Sequence, residues 1–246
     1  GFPTLVALSG QPAIEVKDGL AFVRIAGVMI EAGTPMSSNA TAPLLRWGRH
    51  PGTWSDARGI PSGILTDVFA RVGSFLYRGC PVVRADTMLE VNSNDVVLDN
   101  AWMWHADHDD CGTGPGQNGK SDQCFSRHGL VVNGHRVKAY GLSAEHMVAG
   151  SPVLWNGEDG EVHYYQSELP YHKRNFGVDD HVGYRVSPDV VSHSAHGMGV
   201  YIIGSDLRAE SAYVFPPYVR ATNMITVVIE GALGQFHSTA CVQPGR

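Results

Sequence analysis

Glu145 and Glu168 each close a strand-like run, the first ending at AYGLSAE and the second at VHYYQSE, about one turn of a coiled β-structure apart. Two carboxyls held on one face can do glycosidic chemistry. One protonates the leaving oxygen, the other activates a water, and their mutual repulsion raises the pKa of one of them. Two solvated surface glutamates are the plainer alternative, because glutamate is rarely buried. Aromatic and amide side chains surround the pair: Trp155, Asn156, Tyr164, Tyr165, Gln166 and Tyr171. That mixture suits a sugar.

Other clusters carry less. The string Trp104-His105-Ala106-Asp107-His108-Asp109-Asp110 is dense in metal-ligand types. In a strand, however, only alternate members share a face, and a zinc site needs three or four that converge. His193-Ser194-Ala195-His196 invites a hydrolytic triad, yet no G-x-S-x-G elbow accompanies it. Gly112-Thr113-Gly114 runs into Pro115 rather than a helix, so it does not read as a phosphate loop. No metal or organic cofactor is expected.

The elements that must position these residues are short and separated by corners. Leu130–Val132 ends at Asn133-Gly134, Val137–Tyr140 and a further run lead to Glu145, and Asn156-Gly157 precedes Val162–Gln166. Strand, Asn-Gly corner, strand, with no helical period, predicts a coiled parallel β-structure. Ile14-Glu15-Val16, Leu89-Glu90-Val91-Asn92 and Val131-Val132-Asn133 align as copies of one unit. Asn at such corners favours tight turns and stacked amide ladders. In this register Glu145 falls where Trp104 falls one copy earlier, so an aromatic and a carboxylate share a strip. Thr34–Pro61 is a long excursion with a brief strand at Leu44–Trp47. Its Trp47, Trp54, Arg46, Arg49 and His50 are expected to cover the solenoid edge rather than to bind. The terminal GALGQFHSTACVQPGR is apolar enough to cap the stack. The expected architecture is all-β: a single right-handed parallel β-helix over residues 1–246, with long loop excursions.

Composition narrows the partners. Hydrophobic residues make up 43% and charged residues 17% of the 246, enough to fill a core. A net charge of −6 without basic runs argues against nucleic acid. No apolar stretch reaches membrane-span length and no signal-peptide pattern is present, while Gly1 in place of an initiator Met points to an upstream segment removed. Cys111 and Cys124 bracket a glycine-rich loop and are expected to form a disulfide, with Cys80 and Cys241 a second pair or free thiols. The expectation is a secreted, extracellular protein.

The combined pattern VNSNDVVLDNAWMWHADHD, GLVVNGHRVKAYGLSAEH and VLWNGEDGEVHYYQSELPY, from Val91 to Tyr171, resembles bacterial glycoside hydrolase family 55. The likeness extends more thinly from Gly1 through DVFARVGSF to ITVVIEG. That family implies a pectin-lyase-like β-helix and inverting hydrolysis of β-1,3-glucan. Carried over, Glu168 in YYQSELPY is the general acid and Glu145 in AEH helps position or activate the water. Trp155, Tyr165, Gln166 and Tyr171 line sugar subsites beside Trp104, with Asp107 and His108 at the rim. Two departures are visible. The chain accounts for one of the family's two β-helical lobes, the C-terminal one, so a second lobe or chain is a candidate partner. His105 stands where the family pattern has Arg, and MVAGSP follows the EH pair. The alternative reading is a non-catalytic carbohydrate-binding or structural lobe of a larger extracellular assembly.

Overall fold

The structure is a computed structural model that describes residues 2–8, 10–33, 42–52, 61–74, 79–109, 111, 124–171, 175–176, 182–204 and 207–239. Every regular element among them is a strand, and every pairing is parallel. One eight-stranded sheet contains β1 (Thr4–Ala7), β3 (Val23–Ala32), β5 (Gly63–Val72), β7 (Val96–His105), β9 (Lys138–Glu145), β11 (Gly160–Glu168), β14 (His193–Ile203) and β16 (Val219–Ile229), in that order. The strands between them build a nine-stranded sheet. These are β2 (Ile14–Val16), β4 (Leu45–Trp47), β6 (Arg84–Val91), β8 (Phe125–Val132), β10 (Val153–Trp155), β13 (Tyr184–Val186) and β15 (Arg208–Phe215). Two further strands, β12 (Asn175–Phe176) and β17 (Ala232–Thr239), also pair with β15. Apart from the short β12, the chain alternates between the sheets and returns one strand further along each time, which is a parallel β-helix.

Stacked rungs bury equivalent positions in columns. Val16, Trp47, Val91, Val132, Trp155 and Val186 form one inward column. Ile25, Leu65, Leu98, Ala139, Val162 and Ala195 form another on the opposite sheet. The two tryptophans fit because Gly63 and Gly160 open the facing strands; a Cβ at Gly63 would strike the Trp47 ring and one at Gly160 the Trp155 indole nitrogen. Trp47 is therefore a core residue, while Arg46 and Arg49 pair with Glu15 and His50 with Asp18 across rungs. Trp54 lies outside the described residues.

The long strands of the first sheet are each bent at one residue in the left-handed region: Gly27, Asp67, Asn100, Gly141, Tyr164, Gly197 and Asn223. The bend inserts an extra residue at the corner, as a bulge does, and resets the in–out alternation beyond it. In β11, Glu161 and His163 face out before the bend, and Gln166 and Glu168 face out after it.

The tail segment Ala232–Thr239 adds another parallel strand to β15, and residues 240–246 of the expected cap lie outside the described residues. One expectation fails here. The disulfide joins Cys80 to Cys111, with 5.6 Å between the Cα atoms, and not Cys111 to Cys124. Cys80 follows β5 and Cys111 follows β7, so their connections leave adjacent rungs side by side. Cys124 is a buried thiol just before β8, outside the disulfide and 3.6 Å from the Ser74 hydroxyl. Cys241 lies outside the described residues.

Candidate active site

Register brings the two glutamates together. Trp104 pairs with Glu145, Ser143 with Gln166, and the backbone N–H of His146 donates to the Glu168 carbonyl at 2.9 Å. The outward strip at the end of the first sheet therefore reads Arg71, Trp104, Glu145, Glu168, Tyr201 across five rungs. The Arg71 guanidinium lies over Trp104 at 5.0 Å, and Trp104 stacks on Trp102 at 5.3 Å. Aromatic walls thus flank the carboxylates on one side.

The carboxyl groups are held by different partners. Glu145 accepts from the Trp102 indole N–H at 3.0 Å and from the Ser143 hydroxyl at 3.0 Å, and Ser143 also lies 2.6 Å from the Gln166 amide oxygen. Burial raises the Glu145 pKa above the usual carboxylate value, and the negative charge of Glu168 adds to the shift. Glu168 accepts from the Tyr171 hydroxyl, and the buried His146 places its Nε2 3.5 Å from the same carboxylate oxygen. Desolvation and the nearby Glu168, Asp107 and Glu145 together push the Tyr171 phenol to ionise well above its normal range. Glu145 is thus held from the β7 rung and its own, and Glu168 from Tyr171 beyond its strand and from His146 beside Glu145.

Trp104, Gln166, Tyr171, Asp107 and His108 all lie at or beside this strip. His108 packs edge-on against Trp104 at 5.4 Å and shares a 3.0 Å hydrogen bond with Asp107. Trp155 and Tyr165 do not line it. Trp155 has no exposed surface, and Tyr165 is 2% exposed with its hydroxyl donating to the Gly183 carbonyl. The left-handed corner at Tyr164 is the reason: it turns Tyr165 inward and leaves Tyr164 76% exposed. Sequence reasoning also missed His146, itself left-handed, and Tyr201; the AEH triplet was the available signal for the first.

The other clusters disperse. His105 is buried against the Ser126 hydroxyl at 2.6 Å, and Asp109 accepts from the Ser74 and Cys111 backbone N–H groups. Asp110 lies outside the described residues. His193 faces the core, shares a hydrogen bond with the Tyr184 hydroxyl and is driven down to about 3 by burial, whereas His196 faces outward to Thr222. Two concavities of about 520 and 510 Å³ run along another corner, past Asp159, Glu161, Arg136 and Arg220. Neither includes Glu145 or Glu168.

Comparison with known proteins follows the same lines. Residues 1–168 match the family described as the LAM55 pectate lyase-like domain. An exo-β-1,3-glucanase of Streptomyces sp. (strain SirexAA-E / ActE) is 32% identical over 96% of this chain. The chain spans only 37% of that protein. Two solved structures of sacteLam55A from Streptomyces sp. SirexAA-E also superpose. A variant in complex with glucose gives a TM-score of 0.73 at 26% identity, covering 95% of this chain and 43% of that one. The other gives 0.71 at 27% identity with the same coverage. The chain belongs to the LAM55 pectate lyase-like family, and with it to the glycoside hydrolase family 55 relationship its motifs carry.

Proposed function

We propose that this β-helix carries the catalytic carboxylates of an inverting β-1,3-glucan hydrolase. Glu168 is the proton donor to the leaving oxygen, and Glu145 positions and deprotonates the attacking water. The observation that carries the reading is the pair itself: two glutamates on adjacent rungs of one strip, one raised by burial and the other held by Tyr171 and His146. Inversion requires room for a water between the carboxyls. The burial that raises Glu145 makes it a stronger base than an exposed carboxylate, as a group that must take a proton needs. The Trp104 and Trp102 wall, Gln166, Tyr171, Asp107 and His108 then contact sugar. An extracellular location fits the Cys80–Cys111 bridge, since disulfides persist in oxidising compartments.

The test compares two leaving groups. Glu168→Gln should lose essentially all hydrolysis of laminarin yet retain that of an aryl β-glucoside whose phenolate departs without protonation. Glu145→Gln should lose both. The reverse pattern would exchange the two roles, and full laminarin activity in both variants would refute the site.

A second reading is a glycan-binding lobe that needs a partner to become catalytic. The Glu168 side chain, 24% exposed, favours it, because that surface is accessible to a covering lobe. A second β-helical lobe or chain would supply that cover. Glucan binding without hydrolysis by this chain, with binding preserved in the double Glu variant, would support that reading.

A further inference from the structure

Seven rungs of the first sheet turn their corner through a left-handed residue. Six use Gly, Asp or Asn, the types that tolerate that conformation: Gly27, Asp67, Asn100, Gly141, Gly197 and Asn223. The seventh is Tyr164, at φ 60° and 76% exposed. A bulky aromatic in this region is strained, and one this exposed gains little from burial. Strain of that kind persists where function holds it. Packing does not account for the ring. It lies over Gly197 of the next rung, where an added Cβ would approach it at 3.2 Å, and its remaining surface is open.

The position of Tyr164 is specific. It shares β11 with Glu168, four residues and ~13 Å along the strand from it. Between them on the outer surface are only Gln166 and its partner Ser143. On the far side of the corner, Tyr140, His163 and His196 form a ladder with centroids 5.3 and 5.1 Å apart. Those rings cover one another's faces and offer edges outward. Tyr164 stands at the ridge between that ladder and the carboxylate strip, with an aromatic face available.

We infer that Tyr164 is a distal sugar platform, stacking on a pyranose ring of a glucan chain whose other end lies at Glu145 and Glu168. The inference rests on the glucan reading of the carboxylate strip and extends it to the length of chain the site prefers. A disaccharide held at the carboxylates does not reach the corner; a hexasaccharide does.

The test is a titration of laminarihexaose and laminaribiose into the Glu168→Gln chain, which cannot turn them over, with and without a change at Tyr164. Tyr164→Asn should weaken hexaose binding roughly fivefold, the size of a single ring contact, and leave biose binding unchanged. Tyr164→Phe keeps the ring and should restore the hexaose affinity. Because Asn tolerates the left-handed corner, Tyr164→Asn should melt at or above the parent temperature. Unchanged hexaose affinity in Tyr164→Asn would overturn the platform while leaving the glucan reading intact. A lowered melting temperature would overturn it as well, by making the ring a packing residue. No affinity of the Tyr164 parent for either oligosaccharide would overturn the glucan reading and the platform together.

Discussion

At Glu145 burial opposes ionisation and Glu168 opposes it further, while the Ser143 hydroxyl and the Trp102 indole support it; burial wins and the pKa rises. The consequence for stability has a definite sign. The unfolded chain releases this proton near the ordinary value of about 4.3 and the folded chain only at higher pH. The native state's advantage from holding the proton is complete below the unfolded value and is lost as pH rises through the folded one. Glu145→Gln removes that loss, and Ser143 can turn to accept from the new amide. The variant should therefore melt above the parent at about pH 7, with the difference closing toward about pH 4. Thermal melts at both values decide it; a difference that persists undiminished in acid would mean the titration is not its cause. If Glu145 is the base proposed above, hydrolysis should fail as pH drops through the same raised value, because a protonated carboxyl cannot take a proton from water.

Among the elements, the corner amides tie the rungs together. Asn92 donates to the Gly48 carbonyl, Asn133 to Asn92 at 2.8 Å and Asn156 to Asn133 at 2.7 Å, and the Ser187 hydroxyl donates to Asn156. Removing the middle amide leaves one acceptor and one donor without their partner. Asn133→Ala should cost about 1–3 kcal/mol, which denaturant titration measures. A loss within experimental error would show that water replaces the ladder. This ladder was legible in the sequence, as were the strand-corner units and the alignment of Leu89–Asn92 with the run ending at Asn133. So was the placement of Glu145 opposite Trp104. Each depends on spacing between repeated Asn or Gly corners, which a one-dimensional pattern carries. The inward fate of Tyr165 was not legible, because Tyr164 is not a residue type that announces a left-handed corner. Trp155 was misplaced because an aromatic beside an Asn-Gly corner reads the same whether it faces in or out. The cysteine pairing failed for a related reason. Cys111 and Cys124 are near in sequence, but rung stacking places Cys111 beside Cys80.

For the molecule as a whole, a solenoid is stabilised rung against rung, so cross-links between neighbouring rungs count heavily. The Cys80–Cys111 bridge spans 31 residues and ties the excursion after β5 to the one that carries Asp107 and His108. Replacing both cysteines with serine should lower stability by about 3–4 kcal/mol if the bridge acts by restricting the unfolded chain. Denaturant titration of the oxidised parent against that variant measures the difference, and equal midpoints would exclude such a contribution. The corner column has an effect on the same scale that resembles punctuation in a code. Each bent strand holds two independently phased halves, and the left-handed residue is the comma between them. Losing a residue from a connecting excursion leaves both phases untouched. Losing one at Tyr164 would join the halves into one unbroken alternation, in which Glu168 still faces out but sits one place short along the rung, out of register with Glu145 and Tyr201. The carboxylate strip is thus kept in register by the corner, and the loops around it are free to vary in length.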